Sequence, residues 1–420
     1  MTACSLTDLV GPKPEAEAQP EVTPEPVEER QYNYITGEKL KFEELATMRP
    51  VAVMVDNSKY AMPQSGIEAA EIIYEMVTEG GITRLMAVFS DIDEVEDVGP
   101  IRSARDQFVQ FALPLNAIYV HIGTSIYASE MLNFYHYQNV DGLYLGSSSF
   151  VFDAKRAEKY AHEHCWYTDD GMIEEGMRRT GISINGNLYP AFNFADYREE
   201  AVTLDDGLGA EEIRFRFSDY AKAAFHYNEK ENRYYKDAFG QPQIDASTGN
   251  QIAFENVILL ETTITLYPDG LCTAFDFEAG GMGYYFYGGR YIPVTWQKGQ
   301  PEEPLQLFDA EGNPVEINVG KTYVGIIDKS MLKTLKIEGG EEESTEAAAP
   351  AEENKEEKAD DKSKDDKKSD ESKDSEKDEQ SKDDASTDED KSKDEDKSKE
   401  DSKEESKEDE KSDNSTAEPQ

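Results

Sequence analysis

The chain has 420 residues and a formal net charge of −46, from 89 Asp and Glu against 43 Lys and Arg. That excess of acid excludes nucleic acid and anionic membrane surfaces as partners, because both are gripped by clustered Lys and Arg. No apolar run is long enough to span a bilayer, and none of the three cysteines stands in a CxxC pair, so no zinc or thiol-redox motif is present.

Met1-Thr2-Ala3-Cys4-Ser5 reads as the end of a bacterial lipoprotein signal whose basic and apolar front half would lie upstream. Cys4 is then the expected lipid-attachment residue; the plainer alternative is an ordinary free thiol. The stretch 11–30 follows, with Pro12, Pro14, Pro20, Pro24 and Pro26 set among glutamates. Such a segment buries nothing and suits a disordered spacer. Residues 1–41 are therefore expected to form an attachment region and spacer, with the lipid anchor as the chain's one route to a membrane.

Residues 42–194 read as an α/β N-terminal domain. Pro50 to Val55 is a short apolar run closed by Asp56-Asn57, a buried strand with a polar turn. A helical turn is expected over 67–70. The runs 71–78 and 82–89 flank Glu79-Gly80-Gly81 and predict a hairpin. Gly99-Pro100 breaks the chain, and the spacing that follows predicts a helix over 101–113. A buried strand over 117–122 ends at His121-Ile122, and helices are expected over 128–135 and 169–180. Residues 195–212 lack periodicity and read as a linker.

From 213 to 337 the pattern changes to short aromatic runs separated by glycine turns, a β-rich C-terminal domain. The glycines from Gly280 to Gly289 alternate with aromatics and lack the GK[ST] of a phosphate loop, so they read as hairpin glycines. Residues 338–420 form a tail of Lys, Asp, Glu and Ser; from Glu341 onward it holds 16 Lys and 35 acidic residues. A tail of that composition cannot recover its ordering entropy by burial and is expected to be disordered.

Arg102-Ser103-Ala104-Arg105 is the foremost candidate site. On the expected helix start, free N–H groups and the dipole favour an anion, and two guanidiniums three residues apart share a face. The plainer reading is salt bridging to nearby acids. Asp56 and His121 stand at strand ends, where α/β sheets gather their sites, and His121 is a candidate acid or base. His162-Glu163-His164-Cys165 lacks the His spacing of a helical zinc site, and no metal or cofactor is expected.

Several of these runs together resemble the YerB-like family of bacterial lipoproteins. They are Arg49 to Asn57, Ile73-Tyr74-Glu75, Glu79 to Arg84, Gly99 to Asp106 and Tyr119 to Gly123, followed more loosely by Gly283-Tyr284-Tyr285, Val294 to Lys298, Asn313 and Gly320-Lys321-Thr322. The resemblance implies an exported, lipid-anchored protein of a Gram-positive-type bacterium, with no reaction or catalytic residue attached to it. Where the family's N-terminal domain closes on a segment like Ala-Pro-His-Asn-Leu-Tyr, this chain has Glu163-His164-Cys165-Trp166-Tyr167. His164 and Tyr167 match, which makes His164 the histidine of interest.

Three functions remain open at this point. One is an envelope protein binding an anionic cell-wall ligand or an envelope protein through Arg102, Ser103 and Arg105. The second is a hydrolase or transferase using His121 or His164 with Asp56. The third is a scaffold that docks a partner protein through its β-rich part.

Overall fold

Six consecutive residues, Val51–Asp56, form strand β1 and are all buried, as an apolar run without alternation requires when both faces of a sheet are covered. Strands β2 (Ile72–Val77) and β3 (Thr83–Phe89) are the expected hairpin, in register from Ile72 opposite Val88 to Val77 opposite Thr83. The turn between them needs positive φ at Gly80 (67°) and Gly81 (74°), which is why two glycines stand there. Residues 67–70 form no helix.

The helix expected over 101–113 is shorter. Helix α1 runs Asp106–Ala112, and Arg105 is its extended N-cap residue. Residues 98–104 are held laterally instead: Ile101 bridges Val55, Ala104 bridges Thr124, and the Arg102 N–H donates to Met54 O. A backbone engaged by neighbours on both sides cannot turn helical until it leaves them. Next come β4 (Ile118–His121), α2 (Ile126–Phe134) capped by the Ser125 hydroxyl, β5 (Asn139–Asp141) and α3 (Asp170–Thr180) capped by the Asp169 carboxylate.

The second half supplies β6 (Glu212–Arg216), β7 (Lys222–Asn228), β8 (Arg233–Ala238), β9 (Asn256–Thr262), β10 (Gly281–Tyr287), β11 (Arg290–Gln297), β12 (Gln306–Phe308), β13 (Thr322–Asp328) and β14 (Lys336–Glu338). The fold is strand-rich and helix-poor, α/β-like in its first half and β-rich in its second. This computed structural model describes residues 31–339; Cys4, the proline-rich spacer and the charged tail lie outside the described residues.

The main sheet runs β12-β11-β10-β9-β13-β2-β3-β1-β4-β5, with the short strand Leu208–Gly209 beside β11. β1, β4 and β5 are parallel neighbours, as are β2, β13 and β9. The pairing of β2 with β13, from Ile72 opposite Thr322 to Met76 opposite Ile326, makes one sheet of strands from both halves. A second sheet, with path β8-β7-β6-β14, comes wholly from the second half.

The main sheet has a core on each face. Val51, Val53 and Val55 pack with Ile213, Phe215 and Phe225 of the second sheet and with Ile173 of α3. Ala52 and Met54, pointing the other way, pack with Phe108 and Phe111 of α1 and Leu132 of α2. Between the sheets lies a buried polar knot. Lys236 Nζ stands 3.0 Å from Glu75 Oε2 and donates to Gln243 Oε1 at 2.7 Å. Glu75 also accepts from Asn57, Thr83 and the Tyr323 hydroxyl at 2.7–2.8 Å.

Candidate functional site

Three of the residues singled out in the sequence meet at the end of β1. Asp56 ends that strand, and its Oδ1 accepts the Ser58 N–H at 2.8 Å. Its Oδ2 takes the His164 Nδ1 at 2.5 Å and lies 3.7 Å from Arg102 Nε. The segment 98–102 causes this meeting, because it is sandwiched between β1 and residues 164–168. Ile101 N–H donates to Trp166 O, and Val98 pairs with Thr168. The approach is close enough that a Cβ at Gly99 would lie 2.6 Å from Tyr167 Cδ1 and 2.8 Å from Trp166 O. Glycine is required there for space.

Arg105 points elsewhere. Its fork clamps Glu79, with Nε to Oε1 at 2.5 Å and an Nη to Oε2 at 3.1 Å. Arg84 stands between the two groups: it is opposite Asp56 across the β1–β3 pair, 3.7 Å from Glu79 Oε2, and donates to Ser103 O at 2.6 Å. Burial first, then the charges of Arg105 and Arg102, draws the pKa of Arg84 down to about 9, still protonated at neutral pH. Arg102 and Arg105 therefore do not share a helical face. They splay from either side of Ser103 with Arg84 beneath.

His121 is not part of this group. Its ring is wholly buried, with Nδ1 facing Gly123 O at 2.9 Å and Nε2 facing Asn139 Oδ1 at 3.1 Å. Both nitrogens are occupied by the fold, which leaves neither for a substrate. Cys165 is buried with its thiol on Ala161 O, consistent with a packing role. Ser103 contributes its carbonyl to Arg84, and its hydroxyl lies against Gly123.

Arg84, Glu79 and Tyr60 join the site without having been singled out in the sequence. Arg84 had a signal: it is the one charged residue in the otherwise apolar Leu85 to Phe89 run and its start, and a buried charge in a strand calls for a partner. Tyr60, whose ring centroid is 5.7 Å from that of His164, had none.

Burial opposes ionisation of Asp56, but the His164 hydrogen bond, the Arg102 charge and the Ser58 N–H outweigh it and hold its carboxyl below the ordinary range. A carboxyl whose folded pKa is depressed adds stability above its unfolded pKa of about 3.9, and that stability is lost as pH falls through the lower folded value. Asp56→Asn is therefore expected to be less stable than the wild type at pH 6, and the gap should close as the pH drops below about 3.9. Urea midpoints measured across pH 2–7 check this; a gap that persists at the lowest pH would contradict it.

With this geometry in view, the family becomes clear. Residues 35–183 match the N-terminal domain and residues 213–324 the C-terminal domain of a protein of unknown function, DUF3048. The chain belongs to the DUF3048 family. The Bacillus subtilis (strain 168) protein named "Putative lipoprotein YerB" is 29% identical over 298 residues, which are 70% of this chain and 85% of that protein. The crystal structure of YerB protein from Bacillus subtilis superposes with a TM-score of 0.62 at 26% identity, covering 70% of this chain and 96% of that one. Asp56, Arg84, Arg102, Arg105 and His164 all fall in the DUF3048 N-terminal domain, whereas the Lys236 side of the buried knot comes from the C-terminal domain. No helix among the described residues is long and apolar enough to cross a membrane.

Proposed function

We propose that this DUF3048 protein is a lipid-anchored envelope protein, attached through Cys4, that binds an anion on Arg102 and Arg105 with Arg84 behind them. The anion is a phosphate or carboxylate carried by a cell-wall polymer or an envelope protein. One observation carries the reading: three guanidiniums crowd two carboxylates, Asp56 and Glu79, and the charges of Arg102 and Arg105 bear on buried Arg84. An incoming anion balances the surplus positive charge and accepts charge-assisted hydrogen bonds from the guanidinium N–H groups that Asp56, Glu79 and the Glu163 and Ala104 carbonyls leave over. The buried Ser58 hydroxyl, two residues past Asp56, has no hydrogen-bond partner among the described residues. The lipoprotein name of the Bacillus relative supports the anchor.

A hydrolase or transferase acting through a covalent intermediate requires a nucleophile on the His164–Asp56 pair. Among the described residues no serine, threonine or cysteine side chain bonds the His164 ring, so binding is the reading its contacts favour. Arg102→Ala with Arg105→Ala should weaken binding to phosphate-bearing cell-wall fragments by at least about 100-fold, since each charged hydrogen bond contributes about 1.5–3 kcal/mol. Unchanged binding by a double variant with wild-type circular dichroism would rule the site out.

A further inference from the structure

A second polar cleft opens where the two halves of the chain meet. Its walls include Glu68, Arg233, Tyr235, Asn250, Gln251 and Lys321, and it encloses about 310 Å³, within the range of small-ligand pockets. Glu68 and Lys321 lie just before β2 and β13, whereas Arg84 stands opposite Met76 near the other end of β2. The fold fixes both signs of charge in this cleft. Glu255 holds the two cations: its Oε1 accepts from Arg233 Nε at 2.6 Å, and its Oε2 accepts the Lys321 backbone N–H at 2.8 Å. Gly320 permits that approach, with φ at 122° and space for a Cβ only 2.8 Å from Glu255 Cγ. Glu68 comes from the first half and is fixed by the second. The wholly buried Asp245 accepts the Gly66 and Glu68 N–H groups at 3.1 and 2.7 Å.

Much of the hydrogen-bonding capacity of these groups is unspent. Among the described residues Arg233 engages only its Nε, which leaves both Nη groups, and the Lys321 ammonium donates only to the Glu68 backbone carbonyl. The Glu68 carboxylate accepts only from the Asn250 amide, 3.2 Å from each oxygen. The side-chain carbonyls of Asn250 and Gln251 accept no hydrogen bond among the described residues, although both amide nitrogens donate. Burial draws the Lys321 pKa below its ordinary value, against the pull of Glu71, Glu255 and Glu68, and a further anion beside it favours the charged form. We propose that this cleft binds a short zwitterionic peptide, its terminal carboxylate on Arg233 and Lys321, its terminal ammonium on Glu68, and its amide N–H groups on the Asn250 and Gln251 carbonyls. Arg233 and Lys321 are balanced here by Glu255 and Glu68. A simple anion would be repelled by Glu68, whereas a ligand carrying both charges uses both walls. The cleft is independent of the arginine site and of the anion assigned to it.

Calorimetric titration of the full chain with trialanine, N-acetyl-trialanine and trialanine amide tests this. Trialanine should bind at least about tenfold more tightly than either blocked form, since each block deletes one charged hydrogen-bonding group. Glu68→Gln should weaken trialanine about tenfold more than it weakens N-acetyl-trialanine, and Arg233→Gln should weaken trialanine about tenfold more than it weakens the amide, as expected for groups that interact directly. No heat of binding with trialanine at millimolar concentration overturns the proposal. So does equal affinity for the three ligands, or equal losses for blocked and unblocked peptide in variants with wild-type circular dichroism. N-acetyl-trialanine that matches trialanine, with both lost on Arg233→Gln, would make the cleft a simple anion site and overturns the peptide assignment.

Discussion

Replacing Glu75 with Ala, or Lys236 with Ala, is expected to lower the unfolding free energy by about 3–5 kcal/mol, the usual cost of leaving one member of a buried ion pair uncompensated. Lys236 is fully buried and Glu75 nearly so, and the two approach to 3.0 Å. The four donors on Glu75 come from Asn57, Thr83, Tyr323 and Lys236, so its carboxylate is satisfied from both sides. Removing Glu75 strands a buried ammonium with Gln243 alone; removing Lys236 leaves the carboxylate with three neutral donors. The double change Glu75→Leu with Lys236→Met should recover only part of the loss, because it removes the uncompensated charge but leaves the Asn57 amide and the Thr83 and Tyr323 hydroxyls without this acceptor. Guanidinium unfolding of the single and double variants measures this. Single substitutions that cost under about 1 kcal/mol would show that the pair is reached by water.

Phe225→Ala should cost about 3–5 kcal/mol, the range for deleting a buried aromatic ring. Phe225 stands between the two sheets, with its ring 4.8 Å from that of Tyr323 on β13 and 6.3 Å from that of Phe215 on β6. β13 in turn pairs with β2. A cavity at this junction weakens the support of a strand that both halves use. The expected trace is therefore one cooperative transition shifted as a whole, although the substitution lies in the DUF3048 C-terminal domain. A two-step trace in which only one step moves would mean that the halves unfold independently.

Much of the fold was legible along the chain. Apolar runs bounded by turn residues located β1, the β2–β3 hairpin and β4, because burial on both sheet faces leaves a continuous apolar signal. The α3 helix was legible from the spacing of Ile173 and Met177, and its Asp169 cap and closing Gly181 mark its ends. The short α1 was not, since residues 98–104 carry helical spacing while their backbone is spent on bridges to Val55 and Thr124.

The candidate site divided in the same way. Asp56, Arg102 and Arg105 drew notice as residue types at a strand end and an expected helix start, His164 drew notice through the family resemblance, and the acidity and the proline-rich spacer were plain from composition. These are properties of composition and local order, which a chain displays without folding. That Asp56 bonds His164 across more than a hundred residues, that Arg105 turns to Glu79, and that His121 is sealed by Asn139 and Gly123 depend on which segments pack side by side. So does the union of both halves in one sheet through β2 and β13. Local sequence specifies period and turn chemistry over a few residues, whereas long-range pairing is selected by burial and hydrogen-bond satisfaction summed over the whole core. The site, built where four distant segments meet, therefore exists only in the folded molecule.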